Sequence, residues 1–282
     1  MPSYDVHQHL WPPALVEALR ARRTPPRLDG DVLVLEEGSF PLDLREHELE
    51  RRLRLLDRDG IDTALVSLAP TLDCASHTEL RDAYHEGIAS LVAAADGRLA
   101  AFADGICLEG FVGACVPATA VVTGLGSLPE ELERAGQVLF VHPEPPEPPP
   151  GGAAEWWTAL TDYTAQMQAA YLAWLADGAA RLPRLPVIFA ILAGGGPFQL
   201  ERLGARAAAA PAPTPANVYL ETASYGRRAL ELCIAAVGSG QLLYGSDAPV
   251  IDTRPTLQAL SELGETTRSA ILRENPARLF AA

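Results

Sequence analysis

Two histidines one residue apart, His7 and His9, stand in the run Tyr4-Asp5-Val6-His7-Gln8-His9-Leu10-Trp11. Alternate residues of a strand project from one face. A strand over residues 3–9 therefore sets both imidazoles side by side, as half of a metal site. The other half lies far downstream. His142 follows the apolar run Val138-Leu139-Phe140-Val141, and Asp247 closes Leu242-Leu243-Tyr244-Gly245-Ser246. Three imidazoles and one carboxylate suit a borderline-soft divalent ion, and catalytic sites of this kind keep a coordination position open. Asp247 has a second expected role. A carboxylate beside that open position can also carry the proton of the reaction. Four further side chains are candidates for a substrate pocket: Trp11 just past the histidine pair, Glu144 just past His142, Glu221 at the end of an apolar run, and Arg254 as a partner for a substrate carboxylate. The remaining histidines look ordinary. His47 and His85 fall in helical patterns and are expected on or near the surface; His77 falls in a loop that could face the pocket.

Ligands on three separate strand ends need a closed, parallel architecture to meet. Eight short apolar or β-branched runs qualify as strands: residues 3–9, 62–67, 99–104, 110–117, 137–142, 186–192, 217–221 and 241–247. Several are apolar almost throughout, as strands covered on both faces are. Helical patterns run between them, over residues 44–58, 78–96, 128–134, 155–181, 199–209, 225–236 and 256–273. Alternation of strand and helix argues for parallel βαβ units. Eight strands argue for an α/β barrel, whose active sites form at the C-terminal strand ends. One connection departs from the pattern. A parallel crossover normally takes a dozen residues or more, and residues 105–109 are too few. Either the third helix is missing or a strand is misplaced. Residues 11–41 form an insertion with a hairpin, 32–35 pairing with 39–42 around Glu36-Glu37-Gly38. The proline-rich stretch 143–150 must be loop and is expected to roof the site. No internal repeat or interdomain linker is visible, so residues 1–282 read as one domain.

Composition narrows the function classes. The chain has a formal net charge of −14 and is 48% hydrophobic. So acidic a body repels phosphate backbones and anionic lipid, which argues against nucleic acid and membrane surfaces as partners. All 22 basic residues other than histidine are arginine. Schiff-base chemistry on a lysine is thereby excluded, as is a metal bridge made from a carboxylated lysine. Four cysteines, Cys74, Cys107, Cys115 and Cys233, lack metal-knuckle spacing and read as free thiols. There is no secretory pattern at the start and no uninterrupted apolar run of ~18 residues. A cytoplasmic enzyme with a small-molecule substrate is expected, as a homodimer.

The segments DVHQH, LFVHP, LAGGGPFQLERL, LLYGSDAP and ENPARLF, in that order, resemble the amidohydrolase superfamily. The branch they are most similar to is the amidohydrolase-related one, which also holds the aminocarboxymuconate-semialdehyde and resorcylate-type decarboxylases. The resemblance implies a distorted (β/α)8 TIM barrel with one divalent metal ion, usually zinc and sometimes manganese. It implies His7, His9, His142 and Asp247 as the ligands. Binuclear members use a carboxylated lysine at the fifth strand; His142 stands there and implies a single ion. Two departures matter. Ile191 occupies the place where the sixth strand normally ends in a histidine, and the helix between strands 3 and 4 is absent. An isoleucine cannot polarise a substrate or orient a water, and losing such a group typically costs ~2.7–4 kcal/mol in the transition state. The leading expectation is a mononuclear metal-dependent hydrolase of a small amide, lactone or ester, acting through a metal-activated water. The alternative is a metal-dependent non-oxidative decarboxylase of a small aromatic or unsaturated carboxylic acid. A second alternative is a catalytically impaired barrel that binds a ligand or partner.

Overall fold

The apolar runs form eight strands: β1 (Tyr4–His9), β2 (Thr63–Ser67), β3 (Leu99–Asp104), β4 (Gly113–Pro117), β5 (Val138–His142), β6 (Val187–Phe189), β7 (Val218–Glu221) and β8 (Leu242–Leu243). Each pairs in parallel with the next. The ring comes round where Val6 N donates to Tyr244 O (2.8 Å), Asp247 N to His7 O (2.8 Å) and His9 N to Ala248 O (2.7 Å). The result is a nearly closed TIM barrel with helices between its strands. This computed structural model describes residues 1–282 except 37, 73–75, 146–150, 155, 207–213 and 281–282.

The interior is aromatic at one end and polar at the other. Phe102 and Phe140 stack inside the ring at 5.2 Å. Phe280, from the last helix (Asn275–Phe280), packs against Tyr4 and Phe102. It fills the end of the barrel where the strands begin. Gly113 lets β4 approach β5, since a Cβ there would overlap the Val138 carbonyl oxygen. The C-terminal strand ends are left to carry the polar residues.

Residues 105–112 join β3 to β4 through turns and contain no helix, so the short connection is real. Other boundaries differ from expectation. The sixth strand stops at Phe189 because residues from Ile191 onward turn with positive φ. The eighth is reduced to Leu242–Leu243, although Tyr244 and Asp247 still bond to β1. The helix expected over 44–58 breaks at Glu48, whose ψ of 135° is extended, into a 3-10 turn (Leu44–His47) and a helix (Leu49–Asp59). The long helix expected over 155–181 is divided into Trp157–Leu160, Asp162–Ala173, a π turn and a short final turn. Leu200–Arg206 and Arg254–Glu262 replace parts of two others. The insertion holds an unexpected helix, Pro13–Ala21, whose proline at N1 forfeits no bond. Its hairpin pairs Val32–Leu35 with Gly38–Pro41, and a third strand, Arg27–Asp29, joins it. Glu37 in the hairpin turn, Cys74, and residues 146–150 of the expected roof lie outside the described residues. Cys107, Cys115 and Cys233 are free thiols. No helix among the described residues is long and apolar enough to cross a membrane.

Candidate metal centre

His7 and His9 sit in β1, buried, their ring centroids 5.0 Å apart and nearly perpendicular. Their side of the strand is fixed by a register shift against β2 between Asp5 and Gln8. The Asp5 carboxylate stabilises this irregularity. It accepts His7 N (3.2 Å), Ser246 N (3.0 Å) and Gln8 Nε2 (2.6 Å), tying β1 to the segment that carries Asp247. Burial pushes its pKa up to about 6 in spite of those donors. Arg52, 1% exposed, reaches in from Leu49–Asp59. It donates to Gln8 Oε1 (2.6 Å), His9 O (3.0 Å) and Glu46 O (3.1 Å). Burial lowers its pKa to about 10, so it is still a cation at neutral pH.

Each of the three histidines has its Nδ1 occupied by an oxygen. His7 Nδ1 meets Glu221 Oε2 at 2.9 Å, His9 Nδ1 the Ser67 carbonyl at 3.1 Å, and His142 Nδ1 the Pro143 carbonyl at 2.6 Å. Oxygens of these kinds only accept, so each Nδ1 carries a proton, and in the neutral ring Nε2 is left with its lone pair toward the interior. Such outer partners are what orient metal-binding imidazoles. The Nε2 atoms of His7 and His9 are 3.3 Å apart, and Asp247 Oδ1 lies 3.0 Å from the latter and 3.5 Å from the former. His142 completes the group: one ligand atom from each of His7, His9, His142 and Asp247 lies within 4.8 Å of all the others. Asp247 reaches this position from a backbone with φ of +60°, a region that aspartate tolerates better than most residues.

The electrostatics are those of bases crowded around one acid. Burial works against charge on His7, but Glu221 and Asp247 outweigh it and lift the pKa to about 9. His142 is held well below its ordinary value by burial and by the other two histidines. Burial favours the neutral form of Asp247, yet His7 and His9 bring its carboxyl below the usual value.

The four pocket candidates are placed differently. Glu221 is fully buried behind His7. Its Oε2 also accepts Ile191 N (3.1 Å), and its Oε1 accepts Ala223 N. Gly245 makes room for it, because a Cβ there would overlap Glu221 Oε1. Trp11 is buried and stacks on His47, centroids 4.8 Å apart and planes within 14°. Glu144 accepts from Thr119 Oγ1 and lines a cavity of about 520 Å³ with Pro25, Leu72 and His77, formed by the loops that follow β1, β2 and β5. Arg254 is 73% exposed and paired with Asp252. It is turned to solvent at the start of its helix.

His47 and His85 are buried, contrary to expectation. His85 accepts Asp104 N (2.9 Å), and His47 accepts Trp11 N (3.1 Å). The sequence reading also passed over Arg52 and Ser67. A signal for Arg52 existed, since it occupies the apolar stripe of Leu49, Leu53 and Leu56 at helical spacing. Ser67 contributes a backbone carbonyl, which no side-chain pattern reveals. Ile191 begins a left-handed turn: φ is +46° there, +50° at Leu192, +52° at Ala193, +59° at Gly194 and +82° at Gly195. A β-branched residue is a steric outlier in this region.

The family model described as Amidohydrolase matches residues 4–282. Among solved structures, IDCase from Metarhizium anisopliae in apo form superposes with a TM-score of 0.82 at 21% identity, covering 99% of this chain and 96% of that one. A 5-carboxyvanillate decarboxylase from Sphingomonas paucimobilis gives 0.76 at 20% identity, covering 99% of each. A Polaromonas dihydroxybenzoic acid decarboxylase, solved with manganese and the inhibitor 2-nitroresorcinol, gives 0.72 at 19% identity, covering 99% of this chain and 97% of that one. At such identities the likeness is one of fold. No curated protein matches the chain.

Proposed function

The chain belongs to the amidohydrolase family, and on that premise we propose that it is a metal-dependent non-oxidative decarboxylase of a small aromatic or unsaturated carboxylic acid bearing an oxygen beside the carboxylate. The observation that carries this reading is the pairing of four convergent side chains that could hold one metal ion with an apolar sixth-strand turn. Three Nε2 atoms and one carboxylate oxygen, with every Nδ1 already engaged, suit one divalent ion, and zinc and manganese both accept such donors. Ile191 offers no hydrogen-bond group to polarise a carbonyl or aim a water. Carbonyl polarisation and water activation could come from a bound ion itself, but hydrolysis would still lack a side chain on this flank to aim that water. Loss of CO2 needs no aimed water, which sets the hydrolase second. The three solved structures described above, all of this fold, include two named as decarboxylases.

The bound ion would supply positive charge for the substrate carboxylate and its neighbouring oxygen. Asp247, kept ionised by the imidazoles around it, accepts the proton of a substrate hydroxyl and delivers it to the ring carbon that bears the carboxylate. The bond from that carbon to the carboxylate then breaks. CO2 leaves, the electron pair returns to the ring, and the phenolate regains a proton from solvent. His7, His9 and His142 stay fixed throughout, each by its Nδ1 partner.

The test is a metal-loaded preparation incubated with a panel of ortho-hydroxybenzoates and, in parallel, with amides, lactones and esters. CO2 should appear in step with loss of the acid. Asp247→Asn should lower that rate by roughly 10²–10⁴-fold, as loss of a proton-transfer group does. Cleavage of a lactone or amide, with no CO2 from any acid, would reject the reading in favour of hydrolysis.

A further inference from the structure

Ile191 leaves the sixth-strand side of the centre without a polar side chain, but the opposite flank holds one that the ligand set does not engage. His47 closes the turn Leu44–His47. It is 9% exposed, and its ring lies flat against Trp11. Trp11 is two residues past His9. Arg52 holds the turn in place, because one of its nitrogens bonds both the His9 carbonyl and the Glu46 carbonyl. The imidazole is thus pinned beside the end of β1, close enough for His9 to act on its charge.

Its tautomer is fixed. His47 Nδ1 accepts the Trp11 backbone N–H at 3.1 Å, so it carries no proton of its own. Burial, then Arg52 and His9, lower the pKa to about 3, which keeps the ring neutral. The one ring proton sits on Nε2. Among the described residues no acceptor takes it. Nε2 is not among the fully enclosed unmatched atoms, so its N–H opens on space that water or an arriving acceptor can reach.

We propose that His47 Nε2–H and the Trp11 ring form a substrate-orienting subsite, in which the imidazole donates a hydrogen bond to an oxygen of a planar aromatic carboxylic acid while the acid's other oxygens face His7, His9, His142 and Asp247. The subsite supplies from the β1 side the polar group that Ile191 cannot supply from the β6 side. It rests on the decarboxylase reading and narrows it to flat, oxygen-rich acids. His47 acts as a positioning residue and moves no proton.

Two variants separate this role from a structural one. In His47→Asn the amide oxygen can still accept the Trp11 N–H, but nothing donates from the Nε2 position. In His47→Gln the amide nitrogen reaches the Nε2 position, and the bond to Trp11 is weakened. Both are loaded with manganese and titrated calorimetrically with 2,6-dihydroxybenzoate, with metal content and Tm recorded alongside. The subsite predicts that Asn keeps wild-type metal content and Tm but binds the acid about tenfold or more weakly, whereas Gln binds within about threefold of wild type even if its Tm falls. The opposite ranking, Asn like wild type and Gln impaired in Tm and binding together, overturns the proposal and leaves His47 a backbone anchor. Equal binding by both variants and wild type also overturns it. If the wild-type protein binds no such acid, this inference and the decarboxylase reading fall together; if wild type binds and Asn is unaffected, only this inference falls.

Discussion

Replacing Glu221 by glutamine tests whether His7 is aimed from behind. The carboxylate serves three donors: His7 Nδ1 at 2.9 Å and Ile191 N at 3.1 Å on Oε2, and Ala223 N on Oε1. A glutamine has one oxygen and one NH2 group. If the oxygen faces His7 and Ile191, the NH2 confronts the Ala223 N–H. If it turns the other way, the NH2 confronts Ile191 N and drives the His7 proton onto Nε2, the atom the metal needs. Hydrogen bonds to a charged group are worth about 1.5–3 kcal/mol, and loss of such an outer partner costs about 10–100-fold in metal affinity, or roughly 1.4–2.7 kcal/mol. A second effect runs the other way. Glu221 helps raise His7 to about 9, so at neutral pH the wild-type site must expel a proton to bind an ion, and the variant is relieved of part of that competition. The comparison therefore belongs above pH 9, where His7 is already neutral in both proteins. There, zinc titration of chelator-stripped protein against a competing fluorescent chelator should show Glu221→Gln about 10–100-fold weaker. Gly245→Ala, which crowds the same carboxylate without changing its charge, should weaken binding in the same direction. A Glu221→Gln affinity within about twofold of wild type above pH 9 would refute the argument, since His7 would then hold its tautomer unaided.

The same proton competition sets the pH dependence of the native site. His7 ordinarily titrates at 6.5 and is raised to about 9 in the folded, metal-free protein. Stability from its protonation is fully present below 6.5 and is lost as pH rises through 9. Metal affinity moves oppositely, rising by about tenfold per unit between these values and levelling above them; a profile flat from 6.5 to 9 in both Tm and affinity would contradict the assigned partners. Arg52→Ala removes the donor shared by Gln8 Oε1, His9 O and Glu46 O. The expected cost is about 3–5 kcal/mol from unmatched acceptors and lost packing, read as a fall of roughly 10 °C in Tm. A change under about 2 °C would mean that water replaces the guanidinium at no net cost.

Sequence reading picks out the four side chains that meet at the strand ends because their chemistry is uncommon there, and finds the absent third helix because residues 105–109 are too few for a crossover. It places β1, β2, β3, β5 and β7 to within a residue, since those runs are buried on both faces and say so in their composition. It misses what depends on partners remote in the chain. The i, i+2 spacing of His7 and His9 fixes a shared face but not what lies across the barrel, so Glu221, expected in the pocket, stands behind His7 instead. His47, expected at the surface, is buried by a tryptophan thirty-six positions away. The insertion over residues 11–41 reads as a hairpin without a helix, although a proline at N1, where Pro13 stands, starts a helix as readily as a loop. The sixth strand reads too long because an apolar run carries no sign of the left-handed turn that ends it.

That turn explains how the three histidines and Asp247 stay assembled beside a sixth strand that ends without a polar side chain. Glu221 Oε2 accepts from both His7 Nδ1 and Ile191 N. What the carboxylate takes from position 191 is a backbone N–H, which any residue but proline supplies. The turn is secured independently, by the bond from Ala193 N to Ala190 O at 2.9 Å and by Gly194, where a Cβ would overlap the Thr164 carbonyl oxygen. The side chain at 191 can therefore change without loosening His7, so ligand geometry and chemical outcome are set by separate atoms of one segment. The β-branched isoleucine adds strain that the surrounding bonds must hold. A barrel built this way can keep its four convergent side chains while changing what is done to a molecule bound there, and under the subsite proposed above the hydrogen-bonding group that Ile191 does not provide on the β6 side would come from His47 beside β1.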